Sequence, residues 1–224
     1  MLLFRALSAL LSYPSQELRQ ALPEIAEVVR AATLLRPREQ CDLLDLIDEL
    51  GHGDLLEAEE RYVDLFDRGR ALSLHLFEHL HGDSRDRGEA MVELKRIYER
   101  AGFDLSAREL PDYLPVLLEY LSCRDLAEAR AMLGDSAHIL TMIGRALMAR
   151  GSRYAAIVQA LLVIAGESPI DPTEVTPVKE RTECLDRDWE EEPAFAGSPM
   201  PAGLSARTSA ASREEQEPCR PRPT

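Results

Sequence analysis

Apolar residues recur three or four positions apart along most of the chain, and each recurrence marks the buried face of a helix. Leu3, Leu7, Leu10 and Leu11 form the first stripe; Leu18, Leu22, Ile25 and Val29 form the second, behind Ser15 as its N-cap. A third runs through Leu43, Ile47 and Leu50, with Gly51 as the left-handed residue that closes it. Leu55, Ala58, Tyr62, Leu65 and Phe66 share the next face, which Gly69 ends. A helix over about 71–80 stops at Gly82, and Asp83 or Ser84 caps its successor, striped by Met91, Leu94, Ile97 or Tyr98, and Ala101. Pro111 stands where a first helical turn tolerates it, ahead of Leu114, Leu117, Leu118 and Leu121. Two further stripes follow, Ile139–Ile143–Leu147 and Tyr154–Ile157–Val158–Leu161–Leu162–Ala165, with Gly134 and Gly151 as turns.

Sustained period-two alternation and hairpin dipeptides are both missing, so the pattern predicts an all-α fold, a single helical-bundle domain of about eight or nine helices. Each helix is too short to be stable alone and depends on packing its stripe. Composition changes after Gly166: nine of the 14 prolines lie beyond it. The expected division is therefore a helical domain over 1–166 and a Pro/Glu-rich, largely disordered tail over 167–224, with a docking segment at 185–197 around Trp189 and Phe195.

The formal charge of -14 divides into -8 up to Gly166 and -6 beyond it. A body this negative repels nucleic acid and anionic lipid and attracts a basic peptide. The four cysteines stand far apart without a C-x-x-C pair, which suits a reducing cytosol. "MLLFRALSALLSYP" lacks the basic leader of a signal peptide, and "YAAIVQALLVIAG" is shorter than the roughly 20 apolar residues a span needs, so no stable membrane insertion and a cytoplasmic location are expected.

Catalytic motifs are scarce: there is no G-x-S-x-G elbow, no P-loop and no dinucleotide fingerprint. The exception is "LHLFEHLHGDSRDRG", where His75, Glu78 and His79 spell H-x-x-E-H. On one helix the two imidazoles would face a zinc ion and Glu78 would act as general base, giving a zinc-dependent hydrolase. The other reading places His79 and His81 at a helix C-terminus, bonded to free carbonyls and favoured by the dipole. Carboxylate runs such as Glu59–Glu60 and Glu190–Glu192 read as solvated faces.

"YVDLFDRGRALSLHLFEHLHGDSRDRG" (62–88), then "ARELPDYLPVLLEYLS" (107–122) and "LDRDWEEEPAF", closely resemble the NarJ-type nitrate reductase molybdenum cofactor assembly chaperones, relatives of the TorD and DmsD redox-enzyme maturation proteins. The resemblance extends to about Gly197. It implies an all-helical cytoplasmic chaperone that binds the N-terminal segment of the apo catalytic subunit of nitrate reductase and keeps it competent for molybdenum cofactor insertion. Such a protein is no enzyme, is absent from the finished reductase and holds no cofactor or metal of its own; contact with cofactor-delivery proteins is a further implication. Relatives commonly carry P-D-H where this chain has Pro111, Asp112 and Tyr113, so a phenol replaces an imidazole and the titration near neutral pH is lost.

The expected mode is helix-in-groove recognition of the client's leader. Leu65, Phe66, Leu114, Leu117 and Tyr120 supply apolar walls. Glu78, Glu109, Asp112 and Glu119 form an acidic rim, and Tyr62, His79 and Tyr113 bond the peptide backbone. Pro111 belongs to the same motif, and Arg85 and Arg87, at a helix start where the dipole does not favour them, have a binding or ion-pair role. The apolar members also have the spacing of core positions, and the sequence leaves the two roles open.

Overall fold

The computed structural model describes residues 1–81, 85–105 and 109–177. Among them are ten α-helices: α1 (Leu2–Leu11), α2 (Gln16–Arg30), α3 (Pro37–Gly51), α4 (Leu55–Phe66), α5 (Leu76–His81), α6 (Arg85–Arg100), α7 (Leu114–Ser122), α8 (Leu126–Asp135), α9 (Ala137–Ala149) and α10 (Ala155–Ala165). Two 3-10 turns, Arg70–Leu72 and Pro172–Glu174, complete the regular structure. The all-α expectation holds: among the described residues the only β feature is an isolated antiparallel bridge between His75 and Tyr113.

The stripes become the core. α1 packs on α7 and α2, while α10 packs on α9, α8 and α3. In α10 the apolar residues run around the whole helix, and all but two of its positions are buried, as expected of a central helix. Ser15 caps α2 as its position predicts, its Oγ accepting from Leu18 N at 3.2 Å.

Local punctuation differs in several places. The helix that Gly51 was expected to close includes Gly51, and the left-handed residue is Gly53, with φ 79°. Gly134 lies inside α8, a helix whose short stripe of Ala129 and Leu133 is easily passed over but whose start carries a clear signal, Asp125 accepting from Glu128 N at 2.9 Å. Pro111 is in the turn before α7, and Pro115 takes the first-turn position. The predicted helix over 71–80 splits into a 3-10 turn and α5, leaving His75 outside both. Gly82, Asp83 and Ser84 lie outside the described residues, as does the side chain of His81.

Packing continues past Gly166. That residue ends α10 with φ 90°, but Ile170 is buried again and Gln159 holds it in both directions: Gln159 Nε2 donates to Ile170 O and Ile170 N donates to Gln159 Oε1, each at 2.9 Å. Gly144 makes room for it, since a Cβ there would stand 2.4 Å from Ile170 Cδ1 and 2.9 Å from Val158 Cγ1. The packed body thus reaches Val175, beyond the limit set by the proline distribution. The docking segment expected at 185–197 lies outside the described residues.

Candidate functional site

The motif-bearing segments meet at one junction. α4 turns Tyr62 and Phe66 inward, where Tyr62 donates to Leu11 O at 2.7 Å and its phenol oxygen stands 3.3 Å from that of Tyr113. After α4 the chain runs beside residues 112–114: Leu76 N donates to Asp112 O at 3.0 Å and Leu114 N to Leu74 O at 2.8 Å. The His75 and Tyr113 rings lie over each other with centroids 5.1 Å apart.

Asp112 is the centre of this junction. It is fully buried, and its carboxylate accepts from Phe77 N at 3.3 Å in the first turn of α5. His75 Nδ1 is 3.3 Å from Oδ1, and Arg87 Nη2 is 3.6 Å from Oδ2. Arg87 also reaches Glu78 at 3.1 Å, so one guanidinium joins the start of α6 to α5 and to the 109–113 turn. A carboxylate can stay buried only when paired in this way. His79 Nε2 bonds Ser73 O at 2.8 Å, which fixes α5 on its own approach segment.

Burial raises the pKa of Tyr62 and, with the Tyr113 phenol beside it, keeps it protonated at any physiological pH. Tyr113 is also raised by burial and by the charges of Asp67 and Glu109, against the opposing bond with Tyr62. Both phenols are therefore neutral hydrogen-bonding groups.

Beside the junction opens a cleft of about 410 Å³ lined by Phe66, Asp67, Arg68, Gly69, Arg70, Ser73, His75 and Glu78. It brings together an aromatic floor, two carboxylates, two guanidiniums and an imidazole, a lining suited to holding a polypeptide segment by polar and apolar contacts at once. Of the residues singled out from sequence, Phe66, His75 and Glu78 line it directly, while Tyr62, Tyr113, Asp112, His79 and Arg87 build its supports. Asp67 and Ser73 were not foreseen; both are in the quoted motif, but nothing in their spacing separates them from ordinary helix-end residues.

Other expected wall and rim residues lie elsewhere. Leu114, Leu117 and Tyr120 are buried in the core and Leu65 is half-buried against it, because α7 packs its apolar stripe on α1. Tyr120 directs its hydroxyl to Glu128 at 2.8 Å. Pro111 is buried, its carbonyl accepting from Tyr98 at 2.9 Å. Arg85, Glu109 and Glu119 are exposed. Partial desolvation and the nearby charge of Glu109 raise the Glu119 pKa, with Arg5 opposing.

The zinc-peptidase geometry is not formed. It needs both imidazoles one turn apart on a single helix, whereas His75 precedes α5 in the bridge to Tyr113 and faces Asp112, and His79 is turned to the Ser73 carbonyl. No group of three or more potential ligands is assembled among the described residues. Nor is any described helix long and apolar enough to cross a membrane.

The family model described as "Nitrate reductase delta subunit" matches residues 13–158, a span containing every residue of the cleft and its supports. The chain is 43% identical over 192 residues to the nitrate reductase molybdenum cofactor assembly chaperone NarJ of Escherichia coli K12, covering 83% of this chain and 80% of that protein. It is 36% identical over 197 residues to the probable chaperone NarW of the same organism, covering 86% and 82%. To the probable NarJ of Bacillus subtilis 168 it is 31% identical over 159 residues, covering 71% and 85%. With motifs, fold and relatives in agreement, the chain belongs to the nitrate reductase delta subunit family, that of the NarJ-type assembly chaperones.

Proposed function

We propose that this protein is an assembly chaperone that binds the N-terminal segment of the apo catalytic subunit of nitrate reductase in the cytoplasm and keeps it competent for molybdenum cofactor insertion. It acts by binding and not by catalysis, and leaves before the finished enzyme operates. The observation that carries this reading is the identity of 43% to a protein named as a nitrate reductase molybdenum cofactor assembly chaperone, over a stretch that takes in the whole cleft.

The cleft supports it physically. Asp67 and the half-buried Glu78, held in place by Arg87, offer carboxylates to a basic segment, and the half-buried His75 offers its ring to backbone groups that a leader leaves unpaired, over a floor closed by the buried Phe66 and Ser73. Support from Asp112 and Arg87 presets the lining, so less ordering entropy is lost on binding. The acidic balance of the body speeds encounter with a cationic partner.

Co-purification with the catalytic subunit, with and without its N-terminal segment, tests the reading. The intact subunit is retained and the shortened one is lost; equal retention of both would refute recognition of that segment, and retention of neither would refute the client.

A further inference from the structure

α6 is fastened unequally at its two ends. Of its sixteen residues, all described, Tyr98 alone is buried, while Ala90, Met91, Leu94 and Ile97 are half-buried and Val92 is exposed. The C-terminal end is well made. Tyr98 donates its hydroxyl to Pro111 O at 2.9 Å, its ring centroid lies 4.5 Å from that of Tyr120 and 5.7 Å from that of Phe103, and Phe103 N donates back to Tyr98 O at 2.9 Å.

The N-terminal end hangs on Arg87. Its side chain is only 16% exposed, yet its pairing is incomplete: Nη1 stands 3.1 Å from Glu78, Nη2 stands 3.6 Å from Asp112, outside hydrogen-bond range, and the buried Nε–H has no partner among the described residues. A buried donor left unpaired is costly, and opening returns it to water. Two further features loosen this end. Arg85 and Arg87 set cations at the positive end of the helix dipole, opposed there by Asp86, and Gly88 loses more backbone freedom on ordering than any other residue would.

We propose that α6 is a strap, hinged at Tyr98 and latched by Arg87, whose N-terminal half opens while the rest of the body stays folded. A partly exposed ion pair contributes little and a buried aromatic anchor much, so the helix opens from Arg87 and not from Tyr98. The latch gates the charge of the neighbouring cleft. When it is closed, Arg87 holds Glu78 in the lining and takes up its charge; when it is open, Glu78 presents a full carboxylate there beside Asp67, and Asp112 keeps His75 but loses its guanidinium. Under the function proposed above, on which only this use of the gate rests, the open form attracts a basic segment more strongly than the closed form does.

Hydrogen exchange of the free, full-length chain, read by mass spectrometry, tests the strap without any client, so its outcome and that of the co-purification are read separately. The amides of residues 90–95 should exchange at least about a hundredfold faster than those of α7 and α10, with those of 98–101 in between. Arg87→Lys, which keeps the charge but loses the planar fork, should speed exchange at 90–95 about three- to tenfold; Arg96→Lys, the same change on the exposed side of α6, should not. Gly88→Ala should slow it about two- to fivefold, since the added methyl meets nothing within 4 Å and steadies the helix. Carbodiimide labelling of the Glu78 carboxyl should follow both variants in the same directions. Exchange of the whole of α6 at the rate of α7 would overturn the proposal, as would an Arg87→Lys variant that matches Arg96→Lys or that speeds α1 and α7 as much as α6. Glu78 labelling unchanged in both variants would refute the gate.

Discussion

The contact of α1 with α7 and the junction of residues 73–79 with 111–113 both join distant parts of the chain, yet they are made of opposite materials. In the first, Phe4, Leu7, Leu10, Leu11, Leu114, Leu118 and Leu121 are buried side by side, with polar ties from Ser8 Oγ to Pro115 O at 2.8 Å and from the Met1 amino group to Ser122 O. In the second, a buried carboxylate, two imidazoles, a guanidinium and two phenols are linked by hydrogen bonds and ion pairs. Apolar contacts tolerate rearrangement because they are non-directional. A polar junction does not: every member must find its partner or the buried charge is stranded. The body is thus held by its apolar half and shaped at its cleft by its polar half.

That contrast is breakable by mutation. Phe4→Ala removes a fully buried ring and should lower stability most, by about 3–5 kcal/mol in denaturant unfolding. Asp112→Ala should cost less, about 2–4 kcal/mol, and should also weaken client binding, which Phe4→Ala at equal folded fraction should not. Asp112→Asn, which keeps an acceptor for Phe77 N and drops the charge facing Arg87, should fall between Asp112→Ala and wild type. If Asp112→Ala loses stability but binds normally, the junction is merely structural.

Gly144→Ala sharpens the apolar side. The new methyl would press on Ile170 and Val158, so a loss of about 1–3 kcal/mol is expected, and truncating Ile170 to Ala in the same chain should recover part of it.

The smallest effect concerns a second buried carboxylate, Glu39. Burial alone would raise its pKa, but Arg36, bonding it at 2.7 and 3.0 Å, together with backbone bonds, brings the net value below the ordinary range. The folded state therefore holds this proton less readily than the unfolded state does. Its contribution is fully present above the unfolded value of about 4.3 and disappears as pH falls through the lowered one. Glu39→Gln should flatten this part of the stability profile between about pH 5 and 3 and leave the profile above pH 6 unchanged.

The two carboxylates also show why one part of the molecule was legible in the sequence and another was not. Arg36 and Glu39 are three residues apart on the approach to one helix, a spacing that local rules can read. Asp112 finds His75 across 37 positions, and no periodicity announces that pairing. Stripes such as Leu18–Leu22–Ile25–Val29 gave their helices correctly, because a 3.6-residue period reports one buried face directly. The same rule could not tell a groove wall from a core residue: Leu114, Leu117 and Tyr120 follow the stripe and are buried. His75 and His79 have the i, i+4 spacing of a helical metal pair, but Asp112 captures the chain at 75–77 and the helix starts one residue too late. Beyond Gly166, proline content suggested an immediate end to packing; the pair of bonds between Gln159 and Ile170 carries it further.

The claim that the cleft holds the client's leader is tested most directly by calorimetry of the catalytic subunit's N-terminal peptide against the wild-type chain and an Asp67→Lys variant, whose exposed site lines the cleft outside the polar junction. The prediction is binding by wild type that weakens at least about tenfold in the variant, with the variant still melting cooperatively within a few degrees of wild type. Undiminished binding by the folded variant would contradict it, and so would the absence of binding by wild type.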